Sequence, residues 1–172
     1  YLSFFDDSAE KQSGIQDLIE EGESYHLEFK TSFRWDVHQE KKNPAVEHAS
    51  LKTISAFLNS SGGNLLIGVR DDGSISGIET DRFDNEDKFL LHFWNMVKSS
   101  IGQEATPNIH TTLEKMDGKT VCRVKSTRSP NPVFLKQKGF DEAFYIRVGP
   151  SSAALEIREA LKYIADRFQE KS

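Results

Sequence analysis

The chain has 172 residues, 37% of them hydrophobic and 28% charged, and a formal net charge of −5. That length is expected to form one domain with a real core, and the composition excludes a disordered or low-complexity chain. No apolar run approaches the roughly 20 residues of a membrane helix, and no signal-peptide pattern is present.

Residues 6–21 read as a short amphipathic helix with Ile15, Leu18 and Ile19 as its stripe and Gly22 as its stop. The first strand is 26–30, followed by a polar connection, 31–43, that contains Trp35 and Lys41-Lys42. Pro44 suits a first helical turn, and Val46, Leu51, Ile54, Phe57 and Leu58 then recur at helical spacing up to Asn59. Leu65-Leu66-Ile67-Gly68-Val69 is a continuous apolar run, as expected of a strand covered on both faces. Asp71-Asp72-Gly73 is a turn signal, with a return strand predicted over 74–78. A second helix, 83–101, has Phe89, Leu90, Phe93, Trp94 and Val97 as its core stripe. Strands follow at 107–113 and 120–125, then at 132–136 and 143–148, and a last helix at 155–168. The sum is an α+β fold with a mixed sheet, in one domain over 1–172. The opening at Tyr1, without a methionine, is expected of a fragment of a longer protein.

The lone cysteine, Cys122, rules out an internal disulfide and fits a cytoplasmic home; inside Val121-Cys122-Arg123-Val124 it reads as strand packing. The acidic total argues against a generic polyanion binder. The charge is uneven, however. Lys119, Arg123, Lys125, Arg128, Lys136, Lys138 and Arg147 face only Asp141 and Glu142 in the same stretch, which is compatible with a phosphate ligand and equally with solvated strand faces. In the last strand Tyr145 and Arg147 share a face, suiting base stacking and phosphate contact or an ordinary wet face.

In Leu27-Glu28-Phe29-Lys30, alternation puts the apolar pair on one face and the Glu28 carboxylate beside the Lys30 ammonium on the other, with His26 on that same face. Phosphodiester cleavage needs such a pair: a carboxylate to hold a divalent metal and a cation for developing negative charge. Glu23 lies just before this strand and Asp71 just beyond the apolar strand. A βαβ unit through the 44–59 helix would make the two strands parallel neighbours. If register lets Glu23, Glu28 and Asp71 converge, hard oxygen ligands imply Mg²⁺ or Mn²⁺. The alternative is a set of splayed acids, or acids paired with Arg70 and Lys30. Gly62-Gly63 reads as a helix end with close approach to the next strand, and no nucleotide phosphate loop exists in the chain.

Three segments carry a resemblance. Glu23-Ser24-x-x-Leu27-Glu28-Phe29-Lys30, then Ala56-Phe57-Leu58-Asn59-x-x-Gly62-Gly63-x-Leu65-Leu66-Ile67-Gly68-Val69-x-Asp71, then Phe144-Tyr145-Ile146-Arg147-Val148-Gly149, resemble the divergent AlbA-type domain of Schlafen proteins and bacterial relatives. The resemblance spans about 18–149 and implies a mixed α+β, nucleic-acid-binding domain. In the nucleolytic Schlafens, two glutamates and an aspartate of these motifs form a metal-dependent endoribonuclease site for structured RNA such as tRNA. Carried over, the acids fall on Glu23, Glu28 and Asp71, with Mg²⁺ or Mn²⁺ as cofactor and RNA favoured over DNA by analogy. Lys30 would then stabilise the pentacovalent charge, and Lys125, Arg128, Lys136, Lys138, Tyr145 and Arg147 would hold the nucleic acid. Two features depart from the pattern: Arg70 stands where those relatives carry an acid, and one lobe is present where Schlafens pair two. A homodimer or a neighbouring domain would supply the other lobe. The competing expectations are a non-catalytic binding or dimerisation module of a larger bacterial defence or regulatory protein, and a ligand-sensing pocket near Asn59–Gly63.

Overall fold

The computed structural model describes residues 14–169. Its centre is a four-stranded mixed sheet in the order β1-β4-β6-β5, with β1 Leu27–Lys30, β4 Gly63–Ile67, β5 Ile109–Met116 and β6 Lys119–Ser126. Helix α1 is Ile15–Glu21, α2 Pro44–Asn59 and α3 Glu86–Ser100. As the βαβ reading requires, β1 and β4 are parallel, with Glu28 level with Leu65 and Lys30 level with Ile67.

The unbroken apolar run of β4 is explained by two cores. Leu65 and Ile67 enter the larger one, with Leu51, Ile54, Phe57 and Leu58 of α2 and Phe89, Phe93 and Val97 of α3. Leu66 points the other way, to Ile15 and Leu18 of α1 and to Leu27 and Phe29 of β1. Glu28 and Lys30 therefore lie on the α2 side of β1. Cys122 is wholly buried in the larger core, as strand packing requires, and burial pushes its thiol pKa up.

Helix α2 begins where the sequence predicts: Asn43 caps it by accepting the Ala45 N–H at 3.0 Å, and Pro44 occupies the first turn. The Gly62-Gly63 pair after it is forced by space. Gly62 is left-handed (φ +84), and a Cβ there would sit 2.6 Å from the Ser126 carbonyl oxygen. At Gly63 a Cβ would meet the Phe57 ring at 2.6 Å.

Three predicted elements differ. The 74–78 strand reduces to a single bridge between Val69 and Ile75, because Ser76 and Gly77 both turn their N–H groups onto the Gly68 carbonyl. The 132–136 strand keeps only a Leu135–Ala143 bridge, since Pro130 and Pro132 lack N–H groups and Asn59 takes both backbone groups of Val133. Strand β7, Phe144–Val148, pairs instead with β8, Ser151–Leu155, so that α4 is Ile157–Arg167. A small hairpin, β2 Trp35–Asp36 and β3 Lys41–Lys42, occupies the predicted polar connection. The first helix is described from Ile15, and the rest of its predicted span lies outside the described residues.

Candidate functional site

Strand β7 meets β1 at Glu28. From β7, the Arg147 guanidinium reaches the Glu28 carboxylate, Nη1 to Oε1 at 2.8 Å. Its Nη2 donates to the Ser24 carbonyl at 2.7 Å, its Nε to the Tyr25 carbonyl at 3.2 Å, and Nη1 also to the Ser152 hydroxyl at 3.0 Å. It lies 4.8 Å from the Phe57 ring centroid. The other Glu28 oxygen, Oε2, is 3.1 Å from the Lys30 Nζ. One carboxylate thus holds two cations, and the Arg147 side chain is completely buried. The wet face expected for Arg147 is absent: the guanidinium is spent inside the protein, so it is not presented to a phosphate backbone.

Glu23 has a different use. Strand β1 is a sheet edge, and the Phe29 N–H points outward from it; Glu23 Oε1 accepts that N–H at 2.8 Å. An edge N–H with a side-chain partner is no longer a template for strand addition. Asp71 lies past the strand ends, exposed in the turn closed by the Gly73 N–H on the Arg70 carbonyl. Glu28, by contrast, sits mid-strand, level with Leu65. Arg70 donates to the Ser74 hydroxyl and the Ile75 carbonyl. Among the described residues no group of three or more His, Cys, Asp or Glu is placed to hold a metal ion. In this arrangement Glu23, Glu28 and Asp71 do not fit a three-carboxylate Mg²⁺ or Mn²⁺ site.

The predicted basic contacts divide. Lys125, Arg128, Lys136 and Lys138 are all exposed. Arg128 follows the Ser126–Thr127 backbone that touches Gly62, at the C-terminal end of α2. Gln137, between Lys136 and Lys138, reaches His48 and the Pro44 carbonyl at the N-terminal end of α2. The pairs are therefore separated by most of a helix that is about 24 Å long at 1.5 Å per residue. Tyr145 is half-buried against α2: its hydroxyl is 3.5 Å from His48 Nε2, and Lys52 Nζ lies 5.9 Å from its ring centroid. Burial raises the Tyr145 pKa and lowers that of His48, whose ring stacks on Phe140 at 4.0 Å.

The family model described as Schlafen, AlbA_2 matches residues 23–156. The chain belongs to the Schlafen AlbA_2 family. Among solved structures, the DIP2311 protein of Corynebacterium diphtheriae aligns with a TM-score of 0.58 at 18% identity, over 83% of this chain and 27% of that one. The N-terminal domain of a Nitrosomonas europaea protein related to the ATP-dependent DNA helicase RecG aligns with a TM-score of 0.50 at 23% identity, over 83% and 94%. At these identities the likeness is one of fold. The chain spans about a quarter of the length of the C. diphtheriae protein. A search of the curated proteins finds no match.

Asn59, which the motifs include, and Asp81, which sequence reasoning passed over, organise this Schlafen AlbA_2 fold. Asn59, wholly buried, donates to the Val133 and Tyr145 carbonyls at 2.8 and 2.9 Å and accepts the Val133 N–H at 2.9 Å. It fastens two chain segments. Asp81, also wholly buried, accepts N–H groups from Phe33, Arg34 and Trp35 at 2.7–3.0 Å. Burial pushes its carboxyl above the usual range, against those bonds and the nearby Arg34 charge. A single Asp in a polar stretch carries no sequence signal for such a role. The FLN motif at least marked Asn59.

Proposed function

We propose that this chain is a nucleic-acid-binding module of a larger protein, and that Glu23, Glu28 and Asp71 do not form a catalytic metal site in it. Membership of the Schlafen AlbA_2 family supports the reading, as does the fold shared with the N-terminal domain of a RecG-related protein. The observation that carries the non-catalytic half is the Glu28 carboxylate, both oxygens of which are engaged by Arg147 and Lys30. A metal would have to displace a buried guanidinium from its counter-charge, and a buried cation left unpaired costs several kcal/mol. The exposed cations Lys125, Arg128, Lys136 and Lys138 are available for phosphate contacts that position a strand without reading sequence.

The test incubates the purified chain with labelled tRNA, single-stranded RNA and single-stranded DNA in Mn²⁺ or in EDTA, beside a Glu28→Gln variant. Salt-sensitive binding without cleavage is the expected result. Cleavage that requires both Mn²⁺ and Glu28 would refute the module reading and restore the endonuclease that the family resemblance implies. Light scattering of the same samples tells whether a second copy supplies another lobe or one chain binds alone.

A further inference from the structure

The Asp81 clip holds the β2–β3 hairpin in place. While the Asp81 carboxylate takes the Phe33, Arg34 and Trp35 N–H groups, Arg34 donates back to the carbonyls of Asp81 and Arg82. The Arg34 guanidinium also lies 3.4 Å from the Phe83 ring centroid. Arg82, left-handed with φ 60, places its own guanidinium 4.5 Å from the Trp35 ring centroid. The hairpin register sets Lys42 directly across from Trp35, hence on the same face. Lys42 is exposed and has no ion pair among the described residues.

Beneath this face runs a trough of about 440 Å³, lined by Trp35, Arg82, Lys119, Glu79 and Glu40 among others. Its acids are partly committed. Glu79 accepts the Thr120 N–H at 3.1 Å, and nearby Asp36 binds the His38 and Gln39 N–H groups and the Asn43 amide. Glu40 remains, at the hairpin tip. The trough is thus lined by a half-buried indole with the Arg82 guanidinium over its ring and by the Lys119 ammonium, which also donates to the Ile75 carbonyl at 3.2 Å, and Lys42 is exposed on the same hairpin face. An unpaired base with its flanking phosphates matches that combination, the ring stacking the base and the cations taking the backbone. A duplex keeps its base faces stacked internally and cannot use the ring.

We infer that the trough under the β2–β3 hairpin is a binding site for single-stranded nucleic acid, with one unpaired base at Trp35 and its phosphates at Arg82, Lys42 and Lys119. The inference rests on the nucleic-acid reading above and adds the surface and the strandedness. It moves the contact away from the Lys125–Arg147 stretch that the sequence singles out.

Trp35 can report on this directly. The chain has two tryptophans, so Trp94→Phe leaves Trp35 as the sole indole. That variant is titrated with a 12-nucleotide oligouridylate, an oligodeoxythymidylate of the same length and a 12-base-pair DNA duplex. Either single strand should quench Trp35 emission and bind at least tenfold tighter than the duplex. Lys42→Ala with Lys119→Ala should weaken binding roughly tenfold and reduce the slope of log Kd against log salt by about 1.4, two contacts at about 0.7 each. Lys125→Ala with Arg128→Ala should weaken binding less than the Lys42 and Lys119 pair does. Single-strand binding with unchanged Trp35 emission, and with loss only in the Lys125/Arg128 variant, overturns the trough and leaves the nucleic-acid reading standing. Equal affinity for the duplex overturns the strandedness. Failure of all three probes to bind overturns the nucleic-acid reading and the trough with it.

Discussion

Replacing Arg147 with methionine removes the charge while keeping most of the side-chain volume over Phe57. The cost can be worked from its contacts. Removing one member of a buried ion pair typically costs about 3–5 kcal/mol. Here Lys30 still faces Glu28 at 3.1 Å and the Glu28 side chain is 15% exposed, which brings the charge part toward the low end. Against that, the Ser24 and Tyr25 carbonyls lose their donors, at about 1 kcal/mol each. The expected loss is about 5 kcal/mol in urea-monitored unfolding, about 3 from the charge and about 2 from the two carbonyls. Glu28→Gln, which keeps an acceptor for Arg147, should cost about 2 kcal/mol, and the double variant should fall short of the sum by about 1.5 kcal/mol. Native-state hydrogen exchange should show β7 and β8 losing protection before β4 and β6, since the hairpin loses its tether to β1. A loss below 1 kcal/mol for Arg147→Met, or strict additivity with Glu28→Gln, would refute the argument that this pair fastens the hairpin.

Asn59→Ala strands the Val133 N–H and removes both donors from the Val133 and Tyr145 carbonyls, so thermal and urea unfolding should report a loss of about 2–4 kcal/mol. Asp81 gives a pH test. Because burial raises its folded pKa above that of the unfolded chain, the native state holds this proton to higher pH. Its contribution is complete below the ordinary carboxylate value and is lost as pH rises through the raised folded value. Asp81→Asn should therefore flatten that fall in unfolding free energy; an unchanged slope would show that another group sets it.

The βαβ unit was legible because its signals are local. Leu27 and Phe29 alternate with Glu28 and Lys30, Pro44 marks a first turn, and the 44–59 helix appears with the predicted bounds. Strand β8 was not, because Ser151-Ser152-Ala153-Ala154-Leu155 contains no β-branched or aromatic residue. Its strand state comes from pairing with β7 across the Gly149 turn, a tertiary fact. The face shared by Tyr145 and Arg147 could be read from alternation, but not whether that face is wet. This depends on a carboxylate 119 positions earlier in the chain, just as the Asp81 clip joins segments 46–48 positions apart. Such pairs have no period and no spacing that a sequence displays.

The three motif segments through which the chain resembles Schlafen domains contain the residues that fasten its parts. Glu23 closes the β1 edge, Glu28 and Arg147 join β1 to β7, Asn59 holds β7 and the Val133 segment, and Gly62-Gly63 admit the close passage of β4 and β6. Shared sequence at these positions is thus accounted for by architecture before any chemistry is invoked, and it transfers the fold with more force than it transfers an activity. The parts free to differ without disturbing these contacts are the exposed ones: the β2–β3 hairpin, the Asp71 turn and the Lys138 turn. Ligand preference in this chain should therefore follow Trp35, Lys42 and Lys119. An exchange of the β2–β3 hairpin between two family members would carry binding preference with it, whereas an exchange of Glu28 and Arg147 together would leave that preference unchanged.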